Sequence, residues 1–291
     1  MIIKNNAKMK NLLILLLVIC FTSCKEKKAL PTNIIESTAL DPIVDVNILV
    51  SDFNKWWTYH ENNIILSSEF IALNDKSKTI NKNDFLKSLT TGEYIALKLT
   101  APDSVMRYQL YKLTTSANKQ ISSTIKSTSE NIYTKYKMEG IPFPDFSFTD
   151  LNGKEYTNQN TKGKVLVFKC WFINCKPCVA EFPELNSFVD KFAKQENVEF
   201  ISLALDDKAP LEKFLANKAF KYKTIPNQED FIENKLFVNT YPTHIVVNEN
   251  GIIEKVVNKA TELISFLENG NVLKTTAPKD LPPPPPQPPG M

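Results

Sequence analysis

Cys175 and Cys178, separated by two residues, are the pair in this sequence whose spacing points most directly to chemistry. Lys176 and Pro177 fill the gap between them. The apolar run 165–168 predicts a buried strand ahead of the pair, and a helix is predicted after it. Unpaired N–H groups in the first turn of a helix stabilise a thiolate. Since a thiolate is the attacking species in disulfide exchange, we expect Cys175 to be the nucleophile and Cys178 the resolving thiol.

The other cysteines do not form a second set. Of the five in the chain, Cys20 and Cys24 lie near the N-terminus, and Cys170 lies five residues before Cys175. A structural disulfide framework distributes its cysteines widely, whereas a cluster indicates chemistry. We expect Cys170 to be a buried, inert thiol rather than a third redox partner. The only redox group expected is the Cys175–Cys178 disulfide itself, with no metal and no separate cofactor.

The N-terminus is typical of an export signal. Lysines at 4, 8 and 10 precede an unbroken apolar run, 12–21, which is too short to span a bilayer as a helix. The residues before Cys24 are small, and this end resembles a bacterial lipoprotein cleavage site, apart from Phe21 where an aliphatic residue is usual. The resemblance implies removal of residues 1–23 and lipidation of Cys24, which would hold the chain outside the cytoplasm on a bacterial membrane, facing the periplasm. An ordinary secretory signal is the alternative.

Charge excludes one class of partner. Removing residues 1–23 takes away three lysines and no acid, leaving 35 − 3 = 32 basic residues against 32 acidic ones. A nucleic-acid-binding protein needs a basic surface that this balance does not supply. We therefore expect protein partners and a membrane, and no nucleic acid.

Composition divides the remainder of the chain. Residues 24–43 indicate a tether, 44–113 a small α+β domain of unknown role, and 114–138, rich in Ser, Thr, Asn and Lys, a linker. Residues 139–272 predict the element order β-β-α-β-α-α-β-β-α, a thioredoxin-like α/β domain with a central mixed sheet flanked by helices. Pro183 should kink the helix that follows the dithiol. Residues 273–291 are proline-rich and predict an exposed polyproline II tail.

Three segments of the predicted α/β domain resemble one family. They are Cys175-Lys176-Pro177-Cys178 followed by Glu181-Phe182-Pro183-Glu184, the lead-in Phe146-Ser147-Phe148-Thr149-Asp150-Leu151-Asn152-Gly153-Lys154, and Tyr241-Pro242-Thr243. Together they resemble the TlpA/ResA-like branch of thioredoxin-fold proteins over 139–272. The resemblance implies membrane-tethered reduction or exchange of disulfides in exported, cysteine-containing proteins, including apocytochromes, and a membrane electron donor for the dithiol.

The same resemblance implies roles for residues around the dithiol. Pro242 would be cis and lie beside the sulfurs, and Tyr241 would pair through its backbone with a substrate segment. Trp171 retains one of two tryptophans that the family places at its substrate site, whereas Asn174 stands where the other is usual. Glu181 occupies a position that holds an acid near the sulfurs, where a carboxylate disfavours the thiolate and can transfer protons.

Lys169 is the second charged residue that we connect with the dithiol. It lies six residues before Cys175, where thioredoxin itself has a buried aspartate. Our hypothesis is that Lys169 and Glu181 pair beneath the dithiol. Lys176 should favour the thiolate and Glu181 should oppose it, so these residues do not decide between reductase and oxidase; the resemblance favours a reductase.

Three other functions fit parts of the sequence. A peroxiredoxin-like peroxidase needs Thr or Ser three residues before its nucleophile, and Phe172 occupies that position. A copper carrier would use two cysteines and a distant histidine such as His244, but that class spaces its cysteines by three residues. The third alternative is a binding lipoprotein in which the N-terminal domain acts and the dithiol regulates it.

Overall fold

A computed structural model describes residues 41–269, apart from Ala101, Pro102, Ser104, Ala193, Lys194 and Glu196. The predicted signal peptide, Cys24, most of the tether and the proline-rich tail lie outside the described residues. Across the described ranges, every helix is too short or too polar to traverse a bilayer.

The N-terminal part of the described chain is an α+β unit, as the sequence predicts. Its elements are α1 (Val46–Ser51), α2 (Phe53–Asn63), β1 (Ile71–Leu73), β2 (Thr79–Ile80), α3 (Lys82–Leu89), β3 (Tyr94–Lys98) and β4 (Arg107–Lys112). The sheet has the order β2-β1-β4-β3, in which only β1 and β4 are parallel. Its core contains three fully buried aromatic side chains, Trp56, Phe85 and Tyr108, among aliphatic ones.

The prediction of a linker over 114–138 is wrong, because most of this segment forms helix α4 (Lys119–Met138). Asn118 caps it by accepting a hydrogen bond from the amide of Gln120 at 2.9 Å. Ile121 and Ile125, one helical turn apart, are buried in the core of the N-terminal unit, where α4 packs on α2, α3 and β3. The polar composition therefore belongs to the outer face of an amphipathic helix, and the sparse isoleucines mark its inner face.

Gly92 allows α4 to approach the turn that follows α3. Its φ of 74° favours glycine, and a Cβ at this position would lie 2.8 Å from the carbonyl oxygen of Ser122 in α4. The hydroxyl of Ser122 donates to the carbonyl oxygen of Gly92 at 2.7 Å. The two backbones therefore meet at a distance that no other residue type permits.

The remaining elements build the thioredoxin-like part. They are β5 (Ser147–Thr149), β6 (Glu155–Thr157), β7 (Val165–Trp171), α5 (Lys176–Ala180), α6 (Phe182–Lys191), β8 (Val198–Ala204), α7 (Lys208–Leu215), β9 (Lys223–Ile225), a single π-helical turn (Phe231–Lys235), β10 (Thr243–Val247), β11 (Ile253–Val257) and α8 (Ala260–Asn269). Strands β5 and β6 form a separate hairpin, and the central sheet has the order β11-β10-β7-β8-β9. Strands β7, β8 and β9 are parallel, whereas β10 is antiparallel to both neighbours. This mixed sheet flanked by helices confirms the predicted fold class; the short strands β6 and β9 were not predicted.

The alternation of β7, the central strand, sorts its side chains between two cores. Leu166, Phe168 and Cys170 face the layer of the β5–β6 hairpin. Val165 and Val167 face α6 and α8. Lys169 and Trp171 continue that second face towards the end of the strand, where the dithiol follows.

The helix after the dithiol is broken, as the position of Pro183 predicts. Helix α5 ends at Ala180, Glu181 lies at the break, and α6 begins at Phe182 with Pro183 in its first turn. A proline there has no N–H to donate, and its ring excludes a continuous helical path through the preceding turn. Because Glu181 lies between the two helices, its side chain is not confined to the outer face of either helix and turns towards the sheet.

Candidate active site

The two cysteines of the motif form a disulfide, with their Cα atoms 5.2 Å apart. Cys175 is the N-cap of α5, and its sulfur accepts a hydrogen bond from the amide of Cys178 at 3.3 Å. A sulfur held against an amide N–H is placed where a thiolate is stabilised once the disulfide is reduced. Cys175 is 5% exposed and Cys178 is fully buried. Because only the Cys175 side has an approach from solvent, the structure supports Cys175 as the attacking residue.

Asn174, Lys176 and Pro177 form the exposed rim around Cys175. Pro177 lies in the first turn of α5, where a proline is compatible with a helix because that N–H has no intrahelical partner. Lys176 contributes an exposed positive charge next to the sulfur. The rim is polar, as the replacement of the family's tryptophan by Asn174 implies.

Trp171 does not belong to that rim. Its side chain is fully buried, and its ring lies 5.0 Å from that of Phe182 in an edge-on contact. Trp171, Cys175, Cys178 and Phe182 belong to one apolar cluster. This burial corrects the expectation that Trp171 contacts substrate, because the tryptophan instead packs under the dithiol and fixes the end of β7.

The peptide bond between Tyr241 and Pro242 is cis, as the resemblance implies. Residues 240–242, the cis-proline loop, lead directly into β10. The Tyr241 ring packs edge-on against Phe172, with centroids 5.4 Å apart, and so connects this loop to the segment that leads into Cys175. Neither the amide nor the carbonyl of Tyr241 has a hydrogen-bond partner among the described residues.

Lys169 and Glu181 form the ion pair that the sequence suggests. The Nζ atom of Lys169 donates to Oε2 of Glu181 at 2.5 Å, and the side chains are 0% and 16% exposed. Sequence reasoning missed the third member, His244, whose Nε2 lies 3.1 Å from the same oxygen. The other oxygen, Oε1, accepts from the amide of Ala260 at the start of α8, at 2.9 Å. One carboxylate thus connects β7, β10 and α8.

The protonation states of these three groups follow from their contacts. Burial acts to raise the pKa of Glu181, but the hydrogen bonds from His244 and Lys169, together with the charge of Lys169, outweigh it and lower that pKa to about 2. Burial lowers the pKa of His244, so its imidazole is neutral at neutral pH and donates from Nε2, because an ionised carboxylate can only accept. Burial likewise lowers the pKa of Lys169, against the opposing attraction of Glu181. The lysine is therefore the charge that balances Glu181.

The pair extends into a polar layer across the sheet, formed by Lys169, Glu181, His244, Ser202 and Thr224. His244 and Ser202 are the register partners of Lys169 on β10 and β8, and Thr224 is the partner of Ser202 on β9. The two hydroxyl oxygens lie 3.0 Å apart. A polar row therefore separates the apolar core under α6 and α8 from the apolar cluster around the dithiol.

Cys170 lies on the opposite face of β7 from this layer. It is the one free cysteine in the described part of the chain and is fully buried. Burial raises the pKa of its thiol to about 12, which keeps it protonated and poorly nucleophilic. These observations agree with the expected inert thiol.

The site combines a disulfide at a helix start, one approachable sulfur, an adjacent cis-proline and a buried ionised pair on the strand before the motif. Disulfide exchange is the chemistry that this arrangement can perform. The fold and the site define a thioredoxin-like thiol–disulfide oxidoreductase.

Comparisons with known proteins place the chain within that class. The AhpC/TSA family model matches residues 140–256, less than half of the chain. A thiol-disulfide oxidoreductase ResA from Bacillus cereus is 30% identical over 131 residues, which are 44% of this chain and 75% of that protein. The ResA of Geobacillus kaustophilus is 29% identical over 133 residues, 43% of this chain and 76% of that protein. The crystal structure of StoA from Bacillus subtilis aligns with a TM-score of 0.38 at 22% identity and covers 43% of this chain and 97% of StoA.

The chain belongs to the TlpA/ResA-like family of thiol–disulfide oxidoreductases, and it is an oxidoreductase. The matched relatives align with less than half of this chain. The family model begins at residue 140, after the N-terminal α+β unit and α4.

Proposed function

We propose that the Cys175–Cys178 couple reduces or exchanges disulfides of exported, cysteine-containing proteins at a bacterial membrane, to which a lipidated Cys24 attaches the chain. The observation that carries this proposal is the approachable sulfur of Cys175 beside the cis-proline loop. The apolar run before Cys24 supports the export and anchoring part. The redox group is the disulfide itself, without a separate cofactor.

The reaction follows from the two sulfurs. In the reduced protein, the Cys175 thiolate attacks one sulfur of a substrate disulfide and forms a mixed disulfide, while the other substrate sulfur leaves as a thiolate and takes up a proton. Cys178, deprotonated, then attacks the Cys175 sulfur and releases the second substrate thiol. Two electrons pass to the substrate, the Cys175–Cys178 disulfide forms, and a membrane dithiol donor would reduce it again.

Tyr241 supplies the surface on which a substrate segment would align. Its amide and carbonyl are without partners among the described residues, and unpaired backbone groups of this kind readily accept an added extended strand. Phe172 fixes the Tyr241 ring, so the loop and the segment leading to Cys175 are held together. An extended substrate segment paired here would bring its own disulfide to Cys175.

Glu181 would tune the sulfurs rather than supply protons. With its pKa lowered to about 2 in the disulfide form, the carboxylate is ionised at neutral pH and has no proton to give. Its negative charge opposes a second negative charge on a nearby sulfur. The balance between Glu181, Lys169 and Lys176 would therefore set the reduction potential of the couple.

Insulin-disulfide reduction by the purified chain tests the proposal. We expect Cys175→Ser to reduce turnover by roughly a thousandfold or more, since no other described thiol can attack. Cys170→Ala is the matched control, because that thiol is buried and faces the other side of β7, and its turnover should equal that of the wild type. Turnover that survives Cys175→Ser would overturn the assignment of the nucleophile.

Two companion measurements separate the rival functions. A redox titration of the Cys175–Cys178 couple fixes the direction, and we expect a potential low enough for a reductase. Stoichiometric copper binding that depends on His244 would instead favour a carrier; in this structure His244 Nε2 faces Glu181. A peroxidase would need a hydroxyl where Phe172 presents a ring to Tyr241.

A further inference from the structure

Helix α4 of the N-terminal unit reaches the cis-proline loop. The Nζ atom of Lys135 donates to the hydroxyl oxygen of Thr240 at 2.7 Å, and the side-chain amide of Asn131 donates to the same oxygen at 3.0 Å. Lys135 also donates to the side-chain oxygen of Asn131. These three residues, the α4–loop junction, join side chains more than a hundred positions apart in the sequence.

Lys135 is an unusual residue to find at such a contact. It is 6% exposed, and no carboxylate of the described residues lies within ion-pairing distance of it. Burial lowers its pKa to about 8, against a weaker attraction from Glu262. It borders a cavity of about 420 Å³ between α4 and the strand and helix that follow β10. A buried cation that has only neutral acceptors is costly, so its position indicates a purpose beyond packing.

Thr240 transmits the contact to the residues that meet a substrate. It immediately precedes Tyr241, and its carbonyl oxygen accepts from the hydroxyl of Thr243 at 2.7 Å. On the other side of the loop, the carbonyl of Pro242 accepts from the side-chain amide of Asn258 at 2.8 Å. Thr240 is therefore held by both its hydroxyl and its carbonyl, and the hydroxyl contacts come from α4.

We propose that Asn131 and Lys135 are positioning residues, through which the N-terminal unit fixes Thr240 and thereby aligns the backbone of Tyr241 for a substrate segment. This inference rests on the proposed function, since it gives the N-terminal unit a part in substrate binding at the same site. Neither residue touches the reacting sulfurs. Loss of the junction should therefore weaken substrate binding and leave the chemistry of the dithiol unchanged.

Two substitutions remove the junction, one in the cis-proline loop and one in α4, and each is made in the full-length chain. Thr240→Val keeps the shape and deletes the acceptor, whereas Lys135→Met keeps the length and deletes the main donor. We expect each to raise KM for insulin disulfides by about tenfold, the effect of losing hydrogen bonds to a charged donor, with kcat and the redox potential unchanged. Thr240→Ser retains the hydroxyl and should restore the wild-type KM. Lys137→Met, on the exposed face of α4, is the matched control and should have no effect.

The NMR order parameter of the Tyr241 backbone amide supplies a readout that does not depend on turnover. We expect a lower order parameter in Thr240→Val and Lys135→Met than in the wild type, Thr240→Ser and Lys137→Met, because the loop loses its anchor. An unchanged order parameter together with an unchanged KM in either folded variant would overturn the positioning role. A wild-type chain without turnover, whose Tyr241 order parameter still responds to these substitutions, would instead refute the proposed function and keep the junction.

Discussion

The polar layer beneath the dithiol and the α4–loop junction each contain a buried lysine, but they surround its charge differently. Lys169 lies against an ionised carboxylate, Glu181, at 2.5 Å. Among the described residues, Lys135 has only the neutral oxygens of Asn131 and Thr240 within hydrogen-bonding distance. The first arrangement keeps a fixed pair of charges in place, whereas the second holds a cation that can release its proton near neutral pH. The polar layer is therefore suited to influence the sulfurs, and the junction is suited to hold a loop.

The largest expected effect comes from separating the pair in the polar layer. Removing one partner of a buried ion pair leaves the other charge uncompensated, so Lys169→Met or Glu181→Gln should each lower the free energy of unfolding by about 3 kcal/mol. The double variant should lose less than the sum of the two. Urea unfolding of all four proteins measures the coupling.

The Lys164–Glu199 pair provides the control for that cycle. Its atoms are 2.7 Å apart, but the lysine side chain is 31% exposed. Solvent screening should keep its coupling below about 1 kcal/mol. If the two pairs show the same coupling, the distinction between a fixed buried pair and an ordinary surface pair fails.

The second prediction uses pH to test the junction. The unfolded chain keeps the Lys135 proton up to a pKa of about 10.4, so between pH ~8 and ~10.4 it binds more protons than the folded chain, and stability rises with pH. The free energy of unfolding of the wild type, relative to that of Lys135→Met, should therefore rise by up to roughly 3 kcal/mol across that window. The other lysines contribute to both proteins and cancel in the difference. Urea midpoints measured across this window should separate as pH rises; parallel profiles would mean that Lys135 has a counter-charge.

The smallest effect distinguishes what the two regions act on. Replacing Glu181 with Gln removes a negative charge and leaves Lys169, so the pKa of the Cys175 thiol in the reduced protein should fall by about one unit. Lys135→Met should leave that pKa unchanged. Ultraviolet absorbance of the thiolate against pH measures both. An unchanged pKa of the Cys175 thiol in Glu181→Gln would show that the polar layer does not influence the dithiol.

Local chemistry predicted the centre of the site. The spacing of Cys175 and Cys178 indicates the disulfide, and the motif at 241–243 indicates the cis-proline. The Lys169–Glu181 contact was within reach because both residues have fixed offsets from the dithiol. Burial of Trp171 was not predictable from its offset, since it depends on how α6 and α7 cover the end of β7.

Contacts between distant segments could not be predicted in the same way. His244 meets Glu181 because β10 pairs with β7 in one antiparallel register, and a shift of one residue would send it to the other face. Helix α4 carried a signal in the spacing of Ile121 and Ile125, but its many Ser and Thr residues favoured a linker. The partner of Lys135, Thr240, lies 105 positions away, and nothing in the sequence around either residue indicates the other.

Helix α4 is held by contacts near both of its ends, so the chain cannot be divided next to it without breaking one of them. Near its start, Ser122 meets the bare backbone of Gly92; near its end, Lys135 holds Thr240. A fragment beginning at residue 139, where composition suggests a boundary, would keep every residue of the dithiol motif and lose the helix that supports the loop beside it. Exchanging the N-terminal unit between related proteins would likewise transfer Asn131 and Lys135 without their partner, Thr240. A cut on either side of α4 removes packing from one half of the protein, because Ile121 and Met138 of this one helix lie in different cores.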